Sequence, residues 1–342
     1  MDTGAAARRD GGTSDLERRS RRELGRLALL FVALSIAIVL FKRHDLLPWP
    51  GACSAGGYVD DQYLAYCNSV RYGDYEHYAF LHATEPGQIE AVRDADVLFL
   101  GNSRAQFAFS TDAVERAMTA LGIPFFVFGF GLGGTSDVPL AVMRRHDIDA
   151  RALVINADPF FSRVVNPTFE RVLAGGVLVD WEHRVKRLEQ TLQRRVCGGA
   201  DAPRWVDALL CAGDEVTIYR TPDTGRWDTR WFEAPASYPV TWAERPRPDR
   251  ERRLARAAAI AEEFIAESGA ERSCVVLTVV PHEDTRESFA LELALLLGVR
   301  WSSPDVERLT TFDHSHLTGE SARRWSAALM DDIAPVLERC AA

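Results

Sequence analysis

The sequence has no surplus of positive charge. Its 342 residues carry a formal net charge of −9, which argues against nucleic acid as a partner, because phosphate binding needs a basic surface. It has no Cys-x-x-Cys, and its eight histidines are scattered. His314 and His316 lack companion ligands at a metal-binding spacing, so no metal site is expected. It has no internal repeat and no extended low-complexity tract, which argues against a solenoid or a fibrous chain. Long apolar runs are scarce, with one exception near the N-terminus. What is present is ordinary for a globular protein: 47% apolar and 26% charged residues, over a length that suits one large domain or two modest ones.

The exception sets the expected order of domains. Residues 1–23 are rich in Arg, Asp, Gly and Ala, lack an apolar period, and are expected to form a disordered tail. From Leu27 to Phe41 every residue is apolar except Ser35. Taken as 24–41, the segment reaches about the minimum for a transmembrane helix, with Arg26 snorkelling to the interface. Arg8, Arg9, Arg18, Arg19, Arg21, Arg22 and Arg26 precede the run, while only Lys42 and Arg43 closely follow it. The positive-inside rule then predicts a single-pass inner (plasma) membrane anchor, with a cytoplasmic N-terminus and an extracytoplasmic (periplasmic) domain. Three readings compete: a cleaved signal peptide, a lipoprotein site at Cys53, and a buried core helix. Lys42-Arg43-His44-Asp45 is a poor cleavage region. Pro50-Gly51-Ala52-Cys53 lacks the leucine of a lipoprotein box and lies too far downstream. The basic flank disfavours a core helix.

Six cysteines fit an exported domain, where disulfides persist. Cys53–Cys67 and Cys197–Cys211 are local pairs at the same interval, leaving Cys274 with Cys340. That last bridge requires the C-terminal helix to lie across the start of a central strand. The alternative is that some cysteines, Cys274 above all, are small buried hydrophobes.

Residues 42–94 hold a tyrosine cluster: Tyr58, Tyr63, Tyr66, Tyr72, Tyr75 and Tyr78. The rings are expected to pack an N-terminal extension against the next domain rather than to form a substrate-binding strip. From 95 to 342 strands and helices alternate. Short apolar runs at Val97–Leu100, Phe125–Phe130, Ala152–Asn156, Val275–Val280 and Val299–Trp301 read as buried parallel strands. Thr111–Leu121, Pro139–Arg145, Glu251–Glu267, Phe289–Leu297 and Glu320–Leu337 read as helices. The pattern predicts an α/β fold, a three-layer α/β/α arrangement with a mostly parallel sheet. Residues 160–248 break the alternation and are too long for a structureless loop, so they are expected to form an inserted cap beside the active site, with a helix at Leu178–Arg195. The insert carries Trp181, Trp205, Trp227, Trp231 and Trp242. They are expected to form its own small core, the competing reading being stacking on sugar rings.

Two short motifs carry the chemistry. Gly101-Asn102-Ser103-Arg104 ends the first apolar run, and Asp313-His314-Ser315-His316 precedes the last helix. Together they supply a serine nucleophile (Ser103), a histidine base (His316) and an aspartate (Asp313) to orient the base, the inventory for acyl transfer through a covalent intermediate. His314 competes with His316 as base. The bland readings are a helix-capping Ser103 and an Asp313 or Ser315 that merely starts the last helix. Ser103, Gly134 and Asn156 fall at or after strand ends, so they share the carboxyl edge where ligands bind in such sheets. Gly129, Gly131 and Gly134 also satisfy a G-x-G-x-x-G spacing. The helix after them is delayed to about Pro139, and no acidic residue stands at the expected place, so a dinucleotide site is disfavoured and no cofactor is implied.

A serine in a Gly-x-Ser turn after the first strand, with Asp313-x-x-His316-Leu317 near the C-terminus, resembles the SGNH (GDSL-type) hydrolase superfamily. The resemblance covers roughly Ala95 to Pro159 and Ser273 to the end. Asn102 stands where that family usually has Asp. With the N-terminal anchor, Gly101-x-Ser103-Arg104 looks most like the membrane-anchored cell-envelope O-acyltransferase-like branch, which includes proteins of alginate O-acetylation and of teichoic acid D-alanylation. The resemblance implies an oxyanion site made by the Ser103 and Gly134 N–H groups. Its third donor would be Asn156, although the chain reads Asn156-Ala157-Asp158-Pro159 where the family has Gly-x-Asn-Asp. Arg104 and Asp158 are the candidate substrate-binding residues, and Arg104 is equally suited to a structural salt bridge. The expected protein is an exported serine esterase or O-acyltransferase acting on an acylated small molecule or envelope polysaccharide. As a transferase it would need a multi-pass membrane acyltransferase as partner, since no acyl-CoA site is visible. The alternative is a non-catalytic envelope assembly or glycan-binding protein on the same fold.

Overall fold

The computed structural model describes residues 11–43, 61–67, 75–131, 134–163, 167–197, 217–229, 237–242, 249–283 and 285–341. The chain divides into two units, Met1–Gly51 and Ala52–Ala342.

Among its described residues the first unit is one helix, α1 (Gly11–Arg43). It takes in residues 11–23, where composition predicts disorder. Leu, Glu and Arg are strong helix formers, so the helix extends upstream from the apolar run. Leu24, Leu27, Leu30, Phe31 and Leu34 are exposed on it. Among the described residues no helix is long and apolar enough to cross a membrane. The run between Arg26 and Lys42 spans roughly 22 Å at the helical rise, against roughly 30 Å of hydrocarbon.

The second unit contains strands β1 (Tyr63–Cys67), β2 (Val97–Gly101), β3 (Phe125–Gly129), β4 (Ala152–Asn156), β5 (Thr217–Arg220), β6 (Tyr238–Pro239), β7 (Val275–Thr278), β8 (Arg300–Trp301) and β9 (Thr310–Thr311). Among its described residues the helices of seven residues or more are α2 (Tyr75–His82), α3 (Gln88–Asp94), α4 (Ser103–Phe109), α5 (Asp112–Leu121), α6 (Asp137–His146), α7 (Pro167–Ala174), α8 (Val177–Cys197), α9 (Arg250–Glu267), α10 (Glu287–Leu297) and α11 (Gly319–Ala341). Five strands form one parallel sheet in the order β3-β2-β4-β7-β8. All five coincide with the apolar runs read as strands.

Successive residues of a strand face opposite sides, and each side is apolar here. Leu98, Leu100, Phe126, Phe128, Leu153 and Ile155 pack with residues of α2, α6, α9 and α10. Val97, Phe99, Val127 and Val154 pack with residues of α4, α5 and α11. A sheet buried on both faces needs helices on both, which gives the three layers. Helix α5 starts at Thr111, whose side chain accepts from Val114 N–H, and stops at left-handed Gly122, as its sequence predicts.

The connection after β2 goes to β3 on one side, and the chain then returns to β4 on the other. The crevice between the carboxyl ends of β2 and β4 is therefore the switch point, where open α/β sheets bind ligands. Ser103 follows β2 directly, and Asn156 is the last residue of β4.

The tyrosines behave as expected where they are described. Tyr63, Tyr75 and Tyr219 share a buried cluster, and Tyr78 joins the main core. Tyr58 and Tyr72 lie outside the described residues. The extension is tied to the insert by an antiparallel pair, β1 with β5. The tryptophans depart from the expectation of a separate small core. Trp227 packs with Ala65 of the extension, Phe107 of α4 and Ile218 of β5, whereas Trp181 and Trp242 are exposed. Trp205 and Trp231 lie outside the described residues. The Cys274–Cys340 disulfide is present, with Cα atoms 5.7 Å apart. The other two proposed pairs lie outside the described side chains.

Candidate active site

Gly101 turns the chain out of β2 with φ +152°. A Cβ there would sit 2.5 Å from Ala105 Cβ and 3.0 Å from Asn156 Cβ, so only glycine fits. Asn102 caps helix α4, its Oδ1 accepting from Arg104 N–H at 3.0 Å. Ser103 is then the first helical residue. Its N–H belongs to the first turn, which has no intrahelical acceptor. The capping role read for serine is therefore taken by the residue before it, and Ser103 Oγ is free to face His316.

The Asp313–His316 turn is built by the aspartate itself. Asp313 Oδ1 accepts from Ser315 N–H at 3.0 Å and from His316 N–H at 2.8 Å. Its other oxygen accepts from His316 Nδ1 at 2.7 Å. With the proton on Nδ1, His316 Nε2 is an acceptor, and it lies 2.8 Å from Ser103 Oγ. This is the geometry that a nucleophile, a general base and an orienting carboxylate require. Phe107 and Phe312 flank the His316 ring, with centroids 4.9 and 5.5 Å away. Burial alone pushes the Asp313 carboxyl up. The His316 hydrogen bond and charge, with the two backbone N–H groups, outweigh it and hold the pKa at about 2.

His314 points elsewhere. It adopts φ 67°, its Nδ1 lies 3.2 Å from Glu283 Oε2, and its ring stacks on Tyr238 at 3.9 Å. Tyr238 lies in β6, which pairs with β9 just ahead of Asp313. This stretch of the insert thus reaches the strand just ahead of the Asp313–His316 turn.

Two expected oxyanion donors are engaged elsewhere. Gly134 N–H donates to Gly131 O at 3.1 Å, closing a tight turn. Its glycine is required by packing, since a Cβ would meet Phe130 O at 2.5 Å. Asn156 Nδ2 donates to Asn102 Oδ1 at 3.3 Å and to Asp158 O at 3.4 Å, while its Oδ1 accepts from Val280 N–H. Asn156 is therefore a buried brace between the ends of β2, β4 and β7. Of the three expected donors, Ser103 N–H keeps a backbone position suited to the role. Leu132 and Gly133, in the same glycine-rich loop, lie outside the described residues.

Arg104 and Asp158 come together. Arg104 Nε donates to Ser315 Oγ at 3.0 Å, and Arg104 Nη1 lies 3.9 Å from Asp158 Oδ2. The arginine thereby ties the serine turn to the Asp313–His316 turn. Asp158 precedes Pro159 through a cis peptide bond, and its carboxylate also meets buried His282, at 3.4 Å. Sequence reading missed His282 and the bracing role of Asn102. Asn102 carries a legible signal, an N-cap residue before a helix-compatible run. His282 carries none, because its partner is distant in the chain.

Compared with known proteins, the chain matches no family model, no curated protein and no solved structure. The reading of the site rests on its own geometry.

Proposed function

We propose that this protein is an SGNH-type serine hydrolase or O-acyltransferase that works through an acyl-serine intermediate. The observation that carries the reading is the unbroken relay from Asp313 through His316 to Ser103. Ser103 Oγ attacks an ester carbonyl as His316 Nε2 takes its proton. The Asp313 carboxylate stabilises the imidazolium so formed. Ser103 N–H faces the developing oxyanion, a role worth roughly 3–4 kcal/mol per donor in acyl transfer. The leaving alcohol takes the proton back from His316. Water or a glycan hydroxyl then repeats the sequence in reverse, so the same residues serve hydrolysis and transfer.

The proposed setting is the extracytoplasmic face of a membrane, on an envelope glycan or a related acylated substrate. Support comes from the arginine-rich flank of the apolar run, from the exposed apolar side chains of α1, and from a disulfide suited to an oxidising compartment. A fluorophosphonate probe should label the full-length protein at Ser103, and Ser103→Ala should abolish the label. Absence of label on folded wild type would remove the catalytic reading in favour of a binding protein. The labelled band should stay with membranes through alkaline carbonate extraction. A soluble band would remove the anchor and leave the nucleophile.

A further inference from the structure

A second feature opens on the same edge of the sheet. A cavity of about 240 Å³ is lined by Asp158 from the active-site turn and by Arg163, Arg253, Arg256, Arg286 and Phe289. The topology explains why these residues meet. Helix α9 precedes the parallel strand β7, so it runs down the sheet and its N-terminus stands at the carboxyl edge. Arg286 closes the loop that leaves β7 on that edge. Asp158 follows β4 there, and its carboxylate is turned to Arg104 and His282.

Four guanidinium groups around one opening are unexpected in a chain of net charge −9. Arg253, one of the four, also stands in the first turn of α9, where a cation is unfavourable for the helix. Cations in a first turn oppose the macrodipole, at roughly 0.3–1 kcal/mol each. The sequence nevertheless opens α9 with Arg250-Glu251-Arg252-Arg253. Arg250 is paired with Glu292, Arg252 with Asp249 and Arg163 with Glu263. Arg253 and Arg256 face the cavity exposed, with no carboxylate in ion-pair reach among the described residues. Guanidinium forks match the oxygens of carboxylate or phosphate groups and bind them bidentately. Phe289 and Pro159 supply apolar wall beside them.

We propose that this cleft is an anion-binding subsite, in which Arg253 and Arg256 hold a carboxylate or phosphate group of the substrate while Ser103 attacks an ester nearby. The proposal rests on the acyl-serine reading for its role, although the binding itself does not. It gives the connecting turn a purpose: Asp158 lines the cleft on one side and meets Arg104, next to the nucleophile, on the other.

The test uses full-length Ser103→Ala protein, which binds without turnover, and isothermal titration calorimetry with three probes. Trigalacturonate offers carboxylates, glycerol 1-phosphate offers a phosphate, and maltotriose is neutral. At least one anion should bind, more weakly as salt rises, and maltotriose should not. The anion that binds more tightly identifies which group the cleft serves. Adding Arg253→Gln and Arg256→Gln should weaken that anion by at least roughly tenfold, the loss expected for a charge-assisted hydrogen bond. Arg253→Lys with Arg256→Lys keeps the charge and should weaken it less. Arg252→Gln, outside the cleft, should leave binding unchanged. Equal binding of maltotriose, indifference to the Arg253/Arg256 changes, or an equal loss in Arg252→Gln would overturn the subsite. Ser103 labelling by fluorophosphonate without anion binding overturns the subsite alone. Anion binding without labelling overturns the hydrolase reading alone.

Discussion

At the scale of single residues, the spacing of Asp313 and His316 does two jobs. A three-residue separation lets one carboxylate oxygen cap the turn and the other orient the ring. Asp313→Asn keeps an acceptor for the turn but also offers an amide donor to the imidazole, so the wrong tautomer is favoured. Esterase activity should fall by roughly 10⁴-fold. His316→Ala should be at least as damaging, and His314→Ala, whose ring faces Glu283 and Tyr238, should lose far less. Steady-state kinetics on a small ester gives the ordering, and a more harmful His314→Ala would undo the assignment. The acid side follows from the depressed pKa of Asp313. Its folded value, about 2, lies below the ordinary 3.8. The ionised Asp313 carboxylate therefore stabilises the fold above the ordinary value, and that contribution is lost as pH falls through about 2. The wild type should melt above Asp313→Asn at neutral pH, with the gap closing across that window. A gap that persists below about pH 2 would assign the stabilisation to another group. The convergence of Ser103, His316 and Asp313 was legible in the sequence because this combination of residue types at these spacings is restrictive. The hydrogen bonds that engage Gly134 N–H and the Asn156 side-chain amide were not legible, because the direction of an N–H and the neighbours of an amide depend on the surrounding turns. A glycine demanded by packing looks the same in sequence as one demanded by a substrate.

At the scale of elements, the sheet was legible and its additions were not. Short continuous apolar runs bounded by turn residues suit buried parallel strands, so β2, β3, β4, β7 and β8 could be read locally. Helix α4 is short, and β1 pairs with β5 from a remote part of the chain. Neither leaves a periodic signal. These additions brace the loop opposite the nucleophile. Arg220 of β5 is fully buried and donates to Gly129 O at 3.1 Å and to Val127 O. It pairs with buried Glu76 of α2 at 3.0 Å, and Glu76 Oε1 accepts from Gly131 N–H at 3.0 Å. Extension and insert thus meet under the glycine-rich loop. Removing one charge strands the other in the interior, a loss of about 3–5 kcal/mol. Glu76→Gln should show a loss of that order in urea unfolding, and lower activity as the Gly129–Gly131 segment loosens. Unchanged stability would mean that water reaches the pair.

At the scale of the whole second unit, the C-terminal helix carries one half of the site. Helix α11 begins just after His316 and packs along α4 and α5 through Trp325, Leu329 and Ile333. Its far end is held by Cys340, bonded to Cys274 immediately ahead of β7. The helix is thus tied at one end to the Asp313–His316 turn and at the other to the base of the sheet. The bridge closes a loop with a sequence separation of 66. A loop of that size restricts the unfolded chain by about 4 kcal/mol on the entropic account, and measured bridges give about 2–4 kcal/mol. Replacing both Cys274 and Cys340 by alanine should therefore lower the unfolding free energy by about 2–4 kcal/mol. The relay geometry survives in the folded fraction, because no residue of the relay touches the bridge. Urea unfolding monitored by tryptophan fluorescence measures the first part, and fluorophosphonate labelling rate at low urea measures the second. A double variant as stable as the wild type would mean that the α11 packing alone fixes the helix. A slowed labelling rate in fully folded variant would mean that the bridge holds His316 in register along the length of α11.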